Sequence, residues 1–448
     1  MTLELPNPAE GQRVYDLDRN YVFHSWSAQG ALKPFVVAKT EGSYVYDYDG
    51  KQYLDISSQL VNTNIGHQHP KVVKAIQDQV AHIATIAPQH AIDVRGEAAK
   101  LISELAPKKF NKVFFTNGGA DGVENAIRMA RIHTGRNKVL SYYRSYHGNT
   151  GSAISATGDW RRIPNEYASH HVHFFGPFHY RSAFWSESQE QETKRALQHL
   201  EDVILNEGPA AIACIILESV VGTGGILIPP PGYLEGVKAL CEKFGIVYIA
   251  DEVMAGFGRT GKWFAFEHFN IEPDLIVFAK GVNSGYIPLG GVIISDEIAA
   301  TFDSKVFPGG LTYSGHPVAT AAAIATINAM REEKMVENAA KTGELLGAGL
   351  RKLAEKHLII GDVRGVGMFW ALDLVHDRKT KRPVAPSSGP APIIGELVLE
   401  CRKNGLLPFV AANRIHVCPP LNTTPEQIEE ALIKLEAVFS VMDKHYEG

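Results

Sequence analysis

The sequence predicts an α/β protein with a large, mostly parallel-sheet domain and a smaller α+β domain built from both chain ends. Helical stretches alternate with short apolar runs between about residues 66 and 331, which is the pattern of βαβ units with right-handed crossovers. The C-terminal part has longer helical stretches, fewer strands and a polar, proline-rich loop. A chain of 448 residues is also too long for one small core. We therefore expect a large domain over 57–330 and a small domain over 1–56 and 331–448.

The individual elements follow from local patterns. Asp49-Gly50 lies between two tyrosine-rich arms, and this dipeptide is typical of tight β-hairpin turns. In the large domain, five short runs rich in β-branched and aromatic residues are typical of buried strands. They are 112–116, 211–217, 246–250, 275–279 and 291–295. In the C-terminal part we expect a helix around 341–358, strands at 367–374 and 415–418, and a loop at 377–392.

Composition and charge argue against several kinds of protein. The formal net charge of -5 does not suit a nucleic-acid-binding surface, which needs a basic excess. The four cysteines form no C-x-x-C pair, so neither a disulfide framework nor a zinc site is expected. We expect no metal at the clustered histidines either, because their spacing matches no common ligand set. The N-terminus lacks an apolar signal core, and no apolar stretch is long enough to span a bilayer, so a cytoplasmic protein is expected.

Asp251 and Lys280 form the most informative pair of residues, because each ends an apolar run. If both runs are parallel strands, the two side chains stand at the carboxyl ends of the strands, where open α/β sheets bind ligands. Their separation of 29 residues (280 − 251) corresponds to about one helical crossover, so both can face one crevice. A lysine there can form a Schiff base with a carbonyl cofactor, and an aspartate can pair with a protonated pyridine nitrogen. The pair indicates pyridoxal phosphate (PLP) chemistry, against the alternative of two unrelated charges at strand ends.

Two further segments suit a flat, phosphorylated cofactor. The turn at Gly118-Gly119 follows a predicted strand and opens a predicted helix, so its free N–H groups and the positive helix end could bind a phosphate. A plain strand–turn–helix connection is the alternative. Tyr146, which stands beside His147 and Gly148, could stack on a flat ring, although most tyrosines are simply packed.

Two glycine-rich segments keep a different function open. Residues 256–261 resemble a phosphate loop but lack the Gly-Lys-Ser/Thr end of a Walker motif. Residues 221–225 contain a G-x-G fragment without the rest of the dinucleotide-binding fingerprint. A nucleotide-binding α/β protein is therefore a second hypothesis, but it leaves Lys280 unexplained.

Taken in order, these segments resemble the class III (ω-amino acid and amine) aminotransferases of PLP fold type I. The resemblance extends from about Trp26 to Leu421, which is nearly the whole chain. Its most specific motifs are 248–261, 273–281 and 288–292, and it continues through 312–317 and 414–421. It implies a PLP fold type I aminotransferase that moves an amino group from an ω-amino acid or primary amine to a 2-oxo acid. The reaction would be of the ping-pong type, through a Lys280 Schiff base.

The resemblance also implies roles for residues around the cofactor ring. Lys280 would form the Schiff base and then serve as the base for the proton shift. Asp251 would keep the pyridine nitrogen protonated, so that the ring can accept electrons. Tyr146, with His147 beside it, would stack on one face of the ring, and Val253 would press on the other.

The phosphate and the subunit interface are assigned in the same way. The amides of Gly119 and Ala120 would bind the phosphate at the helix start, and Glu218 would lie near the cofactor. Thr312 would reach the phosphate of the neighbouring subunit. The resemblance thus implies a homodimer with active sites at the interface, and a tetramer stays open.

Substrate recognition is expected to involve two residues from distant parts of the chain. Arg414 stands where the family has a mobile arginine that binds a carboxylate when one is present, although a surface arginine is the alternative. Trp26 resembles an N-terminal tryptophan that lines the amine pocket. Members that use ornithine or 4-aminobutyrate commonly carry a glutamine where this chain has Met254, which favours pyruvate as the acceptor.

The sequence departs from the family pattern at two further positions. Ala120 replaces a serine that often binds the phosphate, and Ser219 replaces the proline of a common glutamate–proline pair. The motifs are also compatible with aminomutases, racemases and decarboxylases of the same fold, so these reactions stay open. A requirement for an added 2-oxo acid would distinguish amino transfer from them.

Overall fold

The structure is a computed structural model, and it describes residues 4–165, 168–389 and 391–448. The α-helices in these ranges are α1 (Pro8–Tyr21), α2 (Ser58–Val61), α3 (Pro70–His82), α4 (Asp93–Ser103), α5 (Gly119–Thr134), α6 (Gly151–Ala156), α7 (Gln189–Glu207), α8 (Tyr233–Phe244), α9 (Asp296–Ala300), α10 (Pro317–Glu332), α11 (Met335–Lys356), α12 (Pro392–Lys403) and α13 (Pro425–Met442). None of them combines the length and the apolar character that a membrane crossing needs.

The strands in the same ranges are β1 (Val37–Glu41), β2 (Tyr44–Asp47), β3 (Gln52–Asp55), β4 (Phe110–Thr116), β5 (Lys138–Tyr142), β6 (His171–Phe174), β7 (Ile212–Glu218), β8 (Val247–Asp251), β9 (Leu275–Phe278), β10 (Gly290–Ser295), β11 (Ile360–Val366), β12 (Phe369–Asp377), β13 (Arg382–Pro383), β14 (Leu406–Leu407), β15 (Phe409–Ala411) and β16 (Arg414–Val417). Each strand that the apolar runs predicted is present, within a few residues of its predicted bounds.

A seven-stranded sheet in the order β4-β10-β9-β8-β7-β5-β6 forms the centre of the fold. The strands from β9 to β6 pair in parallel, as the βαβ pattern predicts. β10 is antiparallel to both of its neighbours, so the prediction of a βαβ unit was wrong there. The physical reason is the connection, since no α-helix separates β9 from β10 and an antiparallel pair needs only a short link.

The central strands are buried along their whole length, because apolar helices cover the sheet. β7 and β8 lie side by side in parallel, and their last residues, Glu218 and Asp251, are register partners. Asp251 in turn pairs with Val277 of β9, three residues before Lys280. The strand order therefore brings three ionisable side chains to one edge of the sheet.

Two smaller sheets are built from the chain ends. In the first, β2 and β3 form the predicted hairpin around Asp49-Gly50, and β14 from the C-terminal part pairs in parallel with β3. In the second, β11, β12, β16 and β15 are antiparallel neighbours. The predicted loop at 377–392 includes the two-residue strand β13, which pairs with β12, while Pro390 lies outside the described residues. The domain bounds 57–330, 1–56 and 331–448 stay a prediction.

Candidate active site

A cavity of about 340 Å³ opens at the carboxyl ends of the central strands. The sequence-predicted residues that line it are Gly119, Ala120, Tyr146, His147, Glu218, Asp251, Val253 and Lys280. Met254 also contributes to the wall. These residues come from four separate strand–loop junctions and from the start of α5, so only the fold brings them together.

Lys280 follows β9 and reaches into this cavity. Its backbone has a φ of 46°, in the left-handed region that non-glycine residues rarely adopt. Strained backbone of this kind clusters at functional sites, where the surrounding structure enforces it. Burial lowers the pKa of the Lys280 ammonium to about 8, although the charges of Glu218 and Asp251 act in the opposite direction. A substantial fraction of this amine is therefore neutral just above neutral pH.

Asp251 and His147 form a buried pair at the end of β8. The Nδ1 of His147 lies 2.7 Å from the Oδ2 of Asp251, and the backbone N–H of Val253 donates to Oδ1 at 3.1 Å. Burial alone would lower the pKa of His147, but the hydrogen bond and the charge of Asp251 outweigh it, and the pKa is raised. The histidine and the Val253 amide thus hold the carboxylate in one orientation.

Glu218 connects two loops of the cavity wall from the end of β7. Its Oε1 accepts the backbone N–H of Tyr146 at 3.1 Å, and its Oε2 accepts that of Gly222 at 2.8 Å. Burial and the charge of Asp251 raise the pKa of Glu218 to about 7, while His147 opposes the rise. The side chain therefore titrates in the same pH range as the nearby lysine.

The start of α5 presents free backbone N–H groups to the cavity. Gly118, the residue before the helix, has an extended backbone. As a glycine it has no side chain that could cap the helix. A Cβ on Gly119 would lie only 2.8 Å from both methyl carbons of Val253, so this position requires glycine. The backbone N–H groups at a helix start, together with the positive end of the helix dipole, favour an anion. Since Ala120 has no hydroxyl, the backbone is the only donor these residues offer.

Three of the sequence-predicted residues do not line the cavity of this chain: Trp26, Thr312 and Arg414. Trp26 and Thr312 are exposed. Arg414 begins β16, and its Nη2 lies 3.5 Å from the carbonyl oxygen of Thr223, which does line the cavity. Arg414 therefore contacts the loop that carries Thr223 at the wall of the cavity.

The site also contains residues that sequence reasoning missed. The guanidinium of Arg161 lies 3.6 Å from the ring centre of Tyr146 and pairs with Asp159 at 2.5 Å. Its charge is among those that lower the pKa of Lys280, after the larger effect of burial. No motif marks this arginine, since it lies within an ordinary 3₁₀ helix over Trp160–Asn165. Its position against Tyr146 is the only signal, and that requires the tertiary structure.

The glycine-rich segment 256–261 has a structural role. Its Arg259 is completely buried and donates to the carbonyl oxygens of Met368, Cys418 and Pro419. It also donates to Asn64, so it joins the loop to both ends of the chain. The side chain therefore holds the backbone around the cavity and does not face a phosphate.

The histidine clusters are used in packing contacts. His67 lies 3.0 Å from the carboxylate of Asp55, and His171 bonds the carbonyl oxygen of Ser169. Within the described ranges, no group of three or more ligand-type side chains is arranged to hold a metal ion.

Comparison with known proteins identifies the family. The sequence model of the aminotransferase class-III family matches residues 26–439. The chain belongs to this family. Class III aminotransferases are PLP-dependent enzymes, and this one transfers an amino group from an amine to a 2-oxo acid on the PLP fold type I that the sequence predicted.

Solved structures of aminotransferases are similar over almost the whole chain. One is taurine:2-oxoglutarate aminotransferase from Bifidobacterium kashiwanohense in complex with PLP and glutamate, with 41% identity, 99% of each chain covered and a TM-score of 0.95. A second is a thermostable (S)-enantioselective ω-transaminase from Thermomicrobium roseum, with 34% identity, 98% of this chain and 100% of that chain covered and a TM-score of 0.92.

Curated relatives include enzymes that are named for different amino donors. Taurine–pyruvate aminotransferase of Bilophila wadsworthia is 32% identical, over 96% of this chain and 97% of its own length. Gamma aminobutyrate transaminase 3 of Solanum lycopersicum, a chloroplastic protein, is 33% identical, over 90% of this chain and 80% of its own length.

The cavity of this class III aminotransferase fits PLP. A lysine amine with a lowered pKa, a buried carboxylate and a helix start face the same space. Those groups match the carbonyl, the ring nitrogen and the phosphate of the cofactor. Gly119 and Val253 approach each other so closely that the helix start is held against the wall of the cavity.

Proposed function

We propose that this aminotransferase moves the amino group of a primary amine or an ω-amino acid to pyruvate. The observation that carries the proposal is the enclosure of the Lys280 amine in one cavity with Asp251 and Glu218. The apolar Met254, buried against Gly222 in the same wall, supports the pyruvate branch. The similarity to taurine–pyruvate aminotransferase over nearly the full length of both chains agrees with this acceptor.

The roles of the cavity residues follow from their chemistry. When bound, PLP supplies a carbonyl that condenses with amines and a ring that takes up electrons from a breaking C–H bond. Lys280 would hold the cofactor carbonyl and, once free of it, move the proton at the substrate carbon, for which its pKa of about 8 suits it. Asp251, oriented by His147, would keep a proton on the ring nitrogen. Glu218 joins the Tyr146 loop to the Gly222 loop, because it accepts a backbone hydrogen bond from each.

The remaining cofactor contacts come from backbone and apolar groups. The amides of Gly119 and Ala120 would bind the phosphate, and Thr312 from the neighbouring subunit would add a hydroxyl to it. Tyr146 and Val253 would hold the ring between them. The functional unit is a homodimer, which agrees with the exposure of Thr312 in a single chain. Residence in the cytoplasm stays a prediction.

Substrate discrimination falls to Arg414 and Trp26. Arg414 binds the carboxylate of the oxo acid and withdraws when the donor carries none. Trp26 lines the pocket for the amine. Arg414→Met should weaken pyruvate and β-alanine use much more than use of isopropylamine, because only the first two carry a carboxylate. Equal losses with all three would remove Arg414 from this role.

An absorption experiment tests the proposal as a whole. The purified enzyme is loaded with PLP, treated with isopropylamine, β-alanine or taurine in separate samples, and then given pyruvate or 2-oxoglutarate. We expect the visible band of the lysine-bound cofactor to bleach with a donor and to return with pyruvate. Return with 2-oxoglutarate but not with pyruvate would overturn the acceptor assignment. Product formation without any oxo acid would favour an aminomutase, a racemase or a decarboxylase.

A Lys280→Ala variant is the control for the chemistry. It should show neither the lysine-bound band nor multiple turnovers. Lys305→Ala, at an exposed lysine, serves as the matched variant and should behave as the wild type. Multiple turnovers in a folded Lys280→Ala protein would contradict the assignment of Lys280.

A further inference from the structure

Asp373 and Arg414 are opposite charges on adjacent strands that do not form an ion pair. They are direct partners in the antiparallel pairing of β12 with β16. Side chains at such positions lie on one face of the sheet and normally interact. Yet among the described residues no carboxylate oxygen lies within ion-pairing distance of the Arg414 guanidinium, and Asp373 is paired elsewhere.

The oxygens of Asp373 are occupied by three other groups. The Nη2 of Arg181 lies 2.8 Å from Oδ1, and the Nη2 of Arg364 lies 3.3 Å from Oδ2. The amide nitrogen of Asn413 donates to Oδ1 at 2.7 Å. Burial would raise the pKa of Asp373, but Arg181 and Arg364 outweigh it and lower the pKa, so the carboxylate stays ionised.

The two arginines that hold Asp373 are themselves anchored. Arg364 donates to the carbonyl oxygen of Gly225 and to Asp362, both at 2.6 Å, and its guanidinium lies 5.0 Å from the ring centre of Phe178. Arg181 donates to the carbonyl oxygen of Lys381 at 3.1 Å. Neither arginine can leave Asp373 without losing these contacts as well.

Arg414 is held much more weakly. Its two hydrogen bonds, to Asn413 at 3.4 Å and to the Thr223 carbonyl at 3.5 Å, are at the limit of bonding distance. Its Nε is buried and has no partner in the described part of the chain. Burial, together with Arg364, Arg144 and Arg181, lowers the pKa of Arg414 to about 10, although Asp373 opposes this. A cation that lacks hydrogen-bond partners and lies near other cations provides a favourable binding site for an anion.

We propose that Arg181 and Arg364 are positioning residues that keep Arg414 available for the oxo acid by occupying Asp373. Because Arg181 and Arg364 already bind Asp373, the carboxylate of the oxo acid serves as the counter-ion of Arg414. The loop from Thr223 to Gly225 places Arg414 and Arg364 against each other, since a Cβ on Gly225 would lie 2.9 Å from Arg364 and 3.1 Å from Arg414. The inference rests on the proposed role of Arg414 as the carboxylate-binding residue.

The test removes one of the two competitors for Asp373. In Arg181→Met, Oδ1 of Asp373 loses its arginine, and Arg414 on the neighbouring strand can take its place. The KM for pyruvate should then rise about tenfold, within the range for residues in one ion-pair network. The rate of the half-reaction with isopropylamine should not change, because this donor does not need Arg414.

A second substitution separates this effect from simple structural damage. Arg181→Met/Asp373→Asn lacks the carboxylate that would capture Arg414, so its KM for pyruvate should return to within about twofold of the wild type. A structural role of Arg181 would not be rescued by removing its partner. Arg195→Met is the matched control, since Arg195 bonds only the carbonyl oxygens of Phe184 and Trp185 in this structure.

Each outcome bears on the inference. An unchanged KM for pyruvate in Arg181→Met, equal losses with isopropylamine, or no recovery in the double variant would each overturn it. If Arg181→Met does not fold, the single variant Asp373→Asn tests the inference instead. Its KM for pyruvate should be unchanged or lower, and a raised KM would contradict the inference. An Arg414→Met enzyme with a normal KM for pyruvate would refute the proposed function of Arg414 as well. A raised KM in Arg414→Met with a normal one in Arg181→Met would refute only the positioning role.

Discussion

Gly119→Ala is the substitution for which the structure allows the most direct prediction. The new methyl group would lie 2.8 Å from both methyl carbons of Val253, well inside van der Waals contact. Overpacking of this kind costs about 1–3 kcal/mol, and the stabilisation of a helix by alanine over glycine offsets roughly 0.5–1 kcal/mol of it. The net cost therefore lies between about 0 and 2.5 kcal/mol, with a central value of about 1 kcal/mol.

The cost should fall mainly on the PLP-bound enzyme. Without the cofactor, Val253 borders an open cavity and can move away from the new methyl group. In the proposed complex, Val253 is held against the ring, so the strain persists. A cost of about 1 kcal/mol corresponds to a roughly 5-fold rise in the dissociation constant of PLP. The assay is a titration of the apoenzyme with PLP, followed by absorbance.

The neighbouring glycine provides a matched control. A Cβ on Gly118, which also lines the cavity, meets no protein atom within 4 Å, so Gly118→Ala should lose less PLP affinity than Gly119→Ala. Val253→Ala removes both clashing methyl groups and should restore most of the affinity lost in Gly119→Ala, once its own effect is subtracted. Equal affinities of the Gly118 and Gly119 variants, or no rescue by Val253→Ala, would refute the reasoning.

The other predictions concern the charges of the cavity. Since the unfolded chain binds a proton at Lys280 up to its ordinary pKa of 10.5 and the folded chain only to about 8, stability of the apoenzyme should rise with pH between these values, as measured by thermal unfolding. Glu218→Gln removes a charge that raises the pKa of Lys280, so in the apoenzyme the rise of stability with pH should begin at a lower pH than in the wild type; an unchanged onset would contradict the coupling. In Asp251→Asn, PLP should still bind but kcat should fall by a factor of about 100 or more, since general acid–base support of this kind contributes about that much. A near-normal kcat there would exclude Asp251 from the reaction.

The fold was largely predictable because it depends on local patterns. Apolar runs, the Asp49-Gly50 turn and the alternation of helices with strands are each visible within about ten residues of sequence. The exception was β10, whose residues are as apolar as those of the parallel strands. Direction within a sheet depends on how a strand is connected, and composition does not contain that information.

The candidate site was predictable only in part. The glycine turn of Gly119, the Tyr146 loop and the strand ends at Asp251 and Lys280 were found because their residue types are unusual at such positions. Arg161 and the structural role of Arg259 were missed, since arginines are common in loops and their partners lie far away along the chain.

The sequence by itself determined which residues stand at the ends of the buried strands, because hydrophobic period and strand length are local properties. It thereby determined that an aspartate ends one such strand and that a lysine follows the next one. The tertiary structure decided which of these ends are neighbours, and it alone paired Asp251 with His147 and left the Nε of Arg414 without a partner among the described residues. These arrangements depend on distances of a few ångströms between segments up to about 200 residues apart. Burial and charge act over such distances, so the lowered pKa of Lys280 and the availability of Arg414 arise only when the chain is folded.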